Sequence, residues 1–510
     1  RRALVLLDGI DEGGKARDAI ERHVTGVLAP QGHVMLVTSR PAGLEEERFS
    51  QHFVRVQLEP LSEAQQEEVV AKRLGKGKHS ELLKYLGNSE RVPIDSATQQ
   101  RVTGNPLMLS MVISIFQSKQ KGAKSAMPAT VTELYETASK AMLERVDRKE
   151  RGGAVSAAAM THLISLLEAM FFEAHAAEVR DFGNEQLNRA ALALFAPDKL
   201  KELKEPKEPA LIELTLKLKE ENKWESGYIK VTEVKGNSFE VGNRVEYQGK
   251  EMVISKGVDS DGEVKLKQLV PDCIDELKKL NQHLNESIGI ACAALPTEAK
   301  AALRAVRERV AQDRLPLLSL LEAEPLQMRS SHLSFQEYFA VRAICTGKHR
   351  LPSDSPPWKW GPFWANVVKL GRENGTKFGN GLLLAAGVDG DELNLSGKLG
   401  GDRPTVLGVV CALLGSLMVL DLSDNKFGPE DAAALAKGLK DNSTLQSLNI
   451  DGHALQINEL KGTEPTERID LSGKGLGVAS AFIIASYIKE NGVLKELNLA
   501  GNHLCGFYND

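Results

Sequence analysis

Asp8 closes the apolar run Ala3-Leu4-Val5-Leu6-Leu7, and Asp11-Glu12 follow within one turn. Such a run ending in a carboxylate describes a strand buried on both faces of a parallel sheet. Its C-terminal edge is where open α/β sheets bind ligands. An aspartate there suits Mg²⁺ carried by nucleotide phosphates, because that cation takes one or two carboxylates and keeps several other oxygens. The acidic pair Asp11 and Glu12 can orient or deprotonate an attacking water. A second apolar run, Val34-Met35-Leu36-Val37-Thr38-Ser39, ends in Arg40, one βα unit beyond Asp8, and is stopped by Pro41. An arginine at that edge can reach a terminal phosphate and sense its presence. Taken singly, each also has a bland reading: a buried strand running into an acidic turn, and a surface arginine ahead of a proline.

Gly9-Ile10-Asp11-Glu12-Gly13-Gly14-Lys15-Ala16 approaches the GxxxxGK[ST] phosphate loop and sits between a strand and a helix. Ala16 offers no hydroxyl to Mg²⁺, however, and two carboxylates in a phosphate cradle would repel its ligand. That reading also needs a further Asp-ended strand downstream, and the available run Met35–Arg40 ends in arginine. The basic stretch Gly75–Ser80 lacks the spacing.

The elements that must position these groups follow the βαβ rhythm. Residues 15–28 read as helix, and Phe53–Leu58 as a third apolar strand before Pro60 and the helix start Ser62-Glu63-Ala64-Gln65, an N-cap with its capping-box glutamine. From 62 to 195 the pattern is helical, with breaks at Gly104-Asn105-Pro106 and Lys121–Pro128, and Thr161–His175 is apolar enough to pack inside. Residues 199–223 are Lys/Glu-rich with Pro206 and Pro209, a linker. Short alternating runs follow (Tyr228–Val231, Arg244–Tyr247, Met252–Ile254, Val264–Leu266), divided by turns at Lys235-Gly236-Asn237, Gln248-Gly249-Lys250 and Asp259–Gly262; they predict a small antiparallel unit, a five-stranded barrel. Residues 351–364, with Trp358, Trp360 and Trp364 among prolines, form a connector. Then a repeat sets in. Leu417–Asn425 recurs at Leu445–Ile450, and Thr466–Leu471 recurs by the same interval at Leu494–Asn502, with Leu393-Asn394-Leu395 a degenerate earlier copy. LxxLxLxxN at a period of roughly 28 residues, with helices over Pro429–Leu439 and Val478–Lys489, is the leucine-rich repeat pattern.

Composition bounds the alternatives. Length 510 suits roughly three or four domains at ~150 residues each. A net charge of -5 gives no electrostatic case for nucleic acid or an anionic membrane. Five cysteines (Cys273, Cys292, Cys345, Cys411, Cys505) without a CxxC fit reduced, cytoplasmic thiols and suggest no metal site. No apolar run of about 20 residues predicts a membrane span. The chain opens on Arg1-Arg2 without a methionine or signal peptide, and reads as a fragment.

Together Leu6–Glu12 and Val37–Pro41 resemble the Walker B and sensor 1 strands of NACHT-type STAND ATPases. Val56–Gln65 resembles the segment closing the NACHT core, Gly104–Leu109 the helical-domain motif, and Ser331–Ala340 the end of the winged-helix domain. Followed by leucine-rich repeats, this is the layout of NOD-like receptors, and the resemblance covers roughly residues 3–196 and 310–345 plus the repeats. It implies an α/β and α multidomain chain with a partial P-loop NTPase sheet, helical and winged-helix domains carrying a small β insertion, and an α/β leucine-rich repeat solenoid. The expected divisions are 1–104 for the NACHT core, 105–150 for the helical domain, 151–345 for the winged-helix region interrupted at about 200–270, 346–385 for the connector and 386–510 for the repeats. The resemblance further implies ATP/ADP and Mg²⁺ as cofactors. Asp8 would hold the metal, Asp11 or Glu12 the water, Arg40 the triphosphate, Pro106 the adenine, and His332 the β-phosphate of ADP. It implies a protein ligand on the repeats and self-association of the intact protein. The Walker A loop, expected upstream of residue 1, is not in this sequence, so ATP turnover is not expected from this chain alone. The competing reading is an interaction scaffold in which the repeats work and the nucleotide machinery is a relic.

Overall fold

Two parallel strands carry the N-terminal site. β1 (Leu4–Leu7) pairs with β2 (Val34–Val37) in the register Leu4↔Val34 to Leu7↔Val37. The structure, a computed structural model, describes every residue except 1, 41–45, 76–78, 89–91, 96–98, 121–125, 152–156, 204–212, 221–222, 225–226, 229, 232–243, 248–249, 257–262, 269–285, 313, 353–354, 441 and 506–510. Pro41, the turns at 235–237, 248–249 and 259–262, Pro206, Pro209, Cys273, most of the basic stretch at 76–78 and of the break at 121–125, and the chain's last residues therefore lie outside it.

One face of the small sheet is packed. Leu7, Met35 and Val37 meet Ile10, Ile20, Val24, Leu28, Phe49 and Phe53, where α1 (Arg17–His23), flanked by a 3₁₀ segment and a π segment, lies across it. The other face is bare: Leu4, Leu6, Val34 and Leu36 are exposed. The expectation of strands buried on both faces is thus met on one side only. Phe53–Leu58 joins no ladder, and Val54, Val56 and Leu58 are 91, 85 and 94% exposed. A strand exists only where a neighbour takes up its N–H and C=O groups, and among the described residues none lies beside this segment.

Helices follow. α2 (Glu63–Leu74) begins with the expected capping box, Ser62 Oγ accepting from Gln65 N at 3.3 Å while Gln65 Oε1 accepts from Ser62 N at 2.9 Å. α3 (Ser80–Leu86), α4 (Pro106–Gln120), α5 (Val131–Arg151) and α6 (Ala157–Ala176) continue the layer, and Phe171 and Phe172 on α6 are fully buried, as the apolar run required. A short strand that the sequence pattern missed, β3 (Asp181–Gly183), precedes α7 (Asn184–Phe195).

Residues 196–295 are a compact unit by themselves. Seven antiparallel strands, β4 (Glu213–Glu220), β5 (Lys223–Trp224), β6 (Gly227–Tyr228), β7 (Lys230–Val231), β8 (Arg244–Tyr247), β9 (Lys250–Lys256) and β10 (Glu263–Gln268), are ordered β6-β5-β4-β10-β9-β8-β7. The five-stranded barrel expected here is therefore not formed. Closure needs the outermost strands to pair, and β6 and β7, two residues each, do not pair among the described residues.

The first unit resumes with α8 (Thr297–Ala311), β11 (Leu318–Glu322), β12 (Gln327–Ser330) and α9 (Leu333–Thr346). The antiparallel sheet β11-β12-β3 draws its third strand from before residues 196–295. Helix α9 is buried along nearly its whole length, Ser334, Gln336 and Glu337 included, and is central to its packing layer. Phe339 stacks on Phe171 at 5.3 Å and Tyr338 on Tyr135 at 5.3 Å. The tryptophan connector is core rather than surface: Trp360 and Trp364 stack at 3.9 Å and are buried. They lead into α10 (Ala365–Arg372) and α11 (Thr376–Ala385). A Cβ on Gly381 would run into the Ile344 carbonyl, so glycine lets α11 lie backbone-close to α9.

From 392 strand and helix alternate: β13 (Glu392–Asn394), α12 (Arg403–Leu413), β14 (Val419–Asp421), α13 (Pro429–Leu439), β15 (Ser447–Asn449), β16 (Ala454–Gln456), α14 (Ile457–Lys461), β17 (Arg468–Asp470), α15 (Val478–Ile488) and β18 (Glu496–Asn498). Leu393, Leu420 and Leu448 sit side by side in the parallel ladder. The strand layer then breaks. β16 pairs antiparallel with β15, and β17 with β18 forms a separate sheet. The stretch of chain from Leu448 to Ile469 is shorter than that from Leu420 to Leu448, and the shortfall leaves room for the five-residue α14 alone. The helix layer bridges the break, since Tyr487 Oη donates to the Leu439 carbonyl at 3.1 Å.

Asn425 holds two repeats together. Its Nδ2 donates to the carbonyls of Leu395 and Leu422, each at 2.8 Å, and its Oδ1 accepts from Leu399 N at 3.0 Å. Asn425→Ala strands these groups and is expected to cost ~1–3 kcal/mol locally. Hydrogen exchange reads this as faster exchange of the Leu399 amide; unchanged protection there contradicts the assignment.

Candidate functional site

Asp8 lies exposed where β1 ends. Gly9 follows with φ of +70°, a left-handed turn that swings the loop back across the strand ends. The loop is tied to β2 by Thr38: its Oγ1 donates to Asp8 Oδ1 and accepts from Gly9 N at 2.9 Å, and its carbonyl accepts from Ile10 N at 3.0 Å. Among the described residues no group of three or more His, Cys, Asp or Glu side chains is placed to hold a metal. A single exposed carboxylate with a hydroxyl beside it suits Mg²⁺ that arrives with its phosphates, and not a cation caged by protein alone.

Asp11 and Arg40 meet directly. Arg40 Nε donates to Asp11 Oδ2 at 2.5 Å, and Asp11 Oδ1 accepts from Arg40 N at 3.1 Å and Ser39 Oγ at 3.3 Å. Asp11 is buried, with both oxygens engaged, so it anchors Arg40. Arg40 Nη1 reaches the fully buried Glu337 of α9 at 2.5 Å, and Glu337 Oε2 accepts from Asn366 Nδ2 of α10 at 2.5 Å. Burial opposes the arginine's charge, but the carboxylates of Glu337 and Asp11 outweigh it and hold its pKa above the ordinary value.

Glu12 pairs with Arg180, the residue before β3. Its pKa is raised: burial acts most strongly, Arg180 pulls it down, and Asp11 pushes it up again. His332 is the N-cap of α9. Its Nδ1 accepts from Ser334 N at 3.3 Å and lies 2.7 Å from Ser334 Oγ. An accepting Nδ1 places the neutral ring's proton on Nε2. Burial of the ring at the strand–helix junction, then the positive charges of Arg180 and Arg40, lower its pKa. Pro106 has no part in the contacts above; it is exposed at the first position of α4 behind Asn105, whose Oδ1 accepts from Leu107 N at 2.9 Å.

The structure thus gathers Asp8, Asp11, Glu12, Arg40 and His332 around one sheet edge, and adds Arg180, Thr38, Glu337 and Asn366. Glu337 had a readable signal, the one carboxylate in the largely apolar stretch Leu333–Ile344; Arg180 and Asn366 had none.

Comparison with known proteins bears on the far end of the chain. Residues 416–436, which carry β14 and most of α13, match the leucine-rich repeat family model. Repeats of this kind present a strand face to protein partners, so the chain has protein-interaction capacity there. No curated protein matches the chain. Among the described residues no helix is long and apolar enough to cross a membrane.

Proposed function

We propose that this chain is the sensing and coupling part of a cytoplasmic ADP/ATP-dependent signalling switch of the NACHT type, with its leucine-rich repeats as the surface for a protein ligand. The observation that carries the reading is the bond from Arg40, at the sheet edge, to Glu337, in the buried helix α9. It links the group suited to sensing a terminal phosphate to a helix packed deep in the fold. With the unit 196–295 set aside, the order helix–strand–helix–helix–strand–strand over α6, β3, α7, α8, β11 and β12, with β12 central, supports a winged-helix identity for that region.

In this mechanism Asp8 would hold Mg²⁺, with Thr38 steadying its carboxylate. His332 Nε2–H would donate to the β-phosphate of ADP and favour the closed form. Arg40 would exchange Glu337 for the γ-phosphate of ATP, which would free α9 from the sheet edge and permit opening and self-association. A repeat-bound protein biases the same equilibrium.

Calorimetry with ADP and ATP in excess Mg²⁺ tests the reading. Binding is expected to weaken by at least ~10-fold in Asp8→Ala, the loss of roughly one charge-assisted contact, and no steady-state turnover is expected from this chain. Wild-type protein that binds neither nucleotide favours the second reading, an interaction scaffold, which the repeat match at 416–436 supports by itself. Turnover that Asp8→Ala abolishes would refute the expected inactivity.

A further inference from the structure

We infer that Arg180 is an anion site for the diphosphate group of a nucleotide, and that Glu12 occupies it as an internal carboxylate when no anion is bound. This rests on the nucleotide reading above and adds a binding residue and a built-in competitor to it.

Arg180 uses its fork poorly in the present arrangement. Nη1 engages Glu12, while Nε is buried with no acceptor among the described residues. A guanidinium binds best through two parallel N–H donors to two oxygens of one group, and a phosphate on Nε and an Nη satisfies the donor that Glu12 leaves unmet. Glu12 is a carboxylate that can give way: burial, with the charge of Asp11 adding to it, raises its pKa in spite of Arg180. Both side chains keep a route to solvent, being 24 and 29% exposed.

The neighbouring charges do not forbid an anion. Asp11 is matched by Arg40, and Asp181 is held by the Arg329 fork at 2.5 and 2.7 Å. Glu12 and Asp8 remain; Glu12 would swing out, and Mg²⁺ bound at Asp8 would offset the remaining repulsion.

The test is pyrophosphate binding to the full chain in excess Mg²⁺, with ADP measured in parallel. Arg180→Ala is expected to weaken pyrophosphate ~10–100-fold, the range for charge-assisted hydrogen bonds, and Arg180→Lys to restore part of it. Glu12→Gln is expected to tighten pyrophosphate, because it removes the competitor and keeps the arginine. This variant also covers the case in which Arg180→Ala fails to fold. Pyrophosphate affinity unchanged in Arg180→Ala, or unchanged or weaker in Glu12→Gln, overturns the inference, as does a wild type that binds no pyrophosphate. Pyrophosphate binding that depends on Arg180 without ADP binding supports this site and overturns the nucleotide reading. ADP binding indifferent to both variants does the reverse.

Discussion

Arg40→Ala is expected to destabilise the fold by ~2–4 kcal/mol, because it strands a carboxylate with no exposure to water. Glu337 is fully buried and keeps only Asn366, on its other oxygen, when Arg40 is gone. The figure lies toward the low side for a broken buried pair because the arginine side chain is 40% exposed and partly screened. Glu337→Gln removes the charge and keeps the shape, so it should cost less. In the double mutant Arg40→Ala/Glu337→Gln the losses should fall short of their sum, since the second change relieves what the first leaves uncompensated. Urea unfolding of the four proteins measures this. A loss under ~0.5 kcal/mol for Arg40→Ala would class the contact with surface pairs and remove it as the coupling element. If the bond is the exchanged contact of the switch, Glu337→Gln should also shift nucleotide preference toward the triphosphate, a readout that a merely structural pair would not move.

A second large effect is expected in acid. His175 on α6 is completely buried, 4.5 Å from the Phe363 ring and 4.4 Å from Trp364, and neither ring nitrogen has a hydrogen-bond partner among the described residues. Burial, then the positive charge of Arg40, pushes its pKa down to about 3. The unfolded chain takes up a proton near the ordinary 6.5, whereas the folded protein resists until about 3. Between those values the unfolded state binds more protons, so stability falls as pH falls, by ~1.4 kcal/mol per unit, or ~3 kcal/mol by pH 4. Above 6.5 the ring costs nothing by this route. His349, lowered to about 4 by burial and then by Lys348, slopes the same way. The measurement is therefore the difference between wild type and His175→Leu in urea titrations from pH 7 to 4. The variant should be close to wild type at pH 7, where an apolar side chain leaves no ring nitrogen unpaired, and should pull ahead as the pH falls. Parallel pH profiles would show that the histidine is hydrated or reaches a partner.

Several features were legible in the residues alone. The apolar runs at 4–7 and 34–37, the capping box at Ser62, the buried stretch 161–175 and the regular strand spacing of the repeats are all local patterns, decided by hydrophobic period and cap chemistry over a few turns. Phe53–Leu58 shows where such patterns stop: strand propensity is satisfied only by a neighbour, and its sequence says nothing about whether one is there. The barrel expected within 200–270 failed for the same reason, because closure depends on pairing at the outermost strands. The break between β15 and β17 was countable, as one short step from Leu448 to Ile469 in an otherwise even rhythm, but the antiparallel turn taken by β16 was not.

The sheet-edge residues divide in the same way. Sequence by itself determined that Asp8, Asp11, Glu12 and Arg40 would stand together, since one βα unit separates two strand ends and parallel pairing brings those ends side by side. It also determined the strand-and-helix repeat at 416–436. Only the tertiary structure decided that Arg40 would be held by Glu337 and Glu12 by Arg180, contacts spanning 297 and 168 residues. A buried charge requires a partner, but nothing local in the chain chooses which one. That choice falls to whichever opposite charge the packing of α6, α9 and α10 brings within reach. The acidic loop the sequence presents as open chemistry is, in the folded chain, already engaged: Asp8 by Thr38, Asp11 by Arg40 and Glu12 by Arg180.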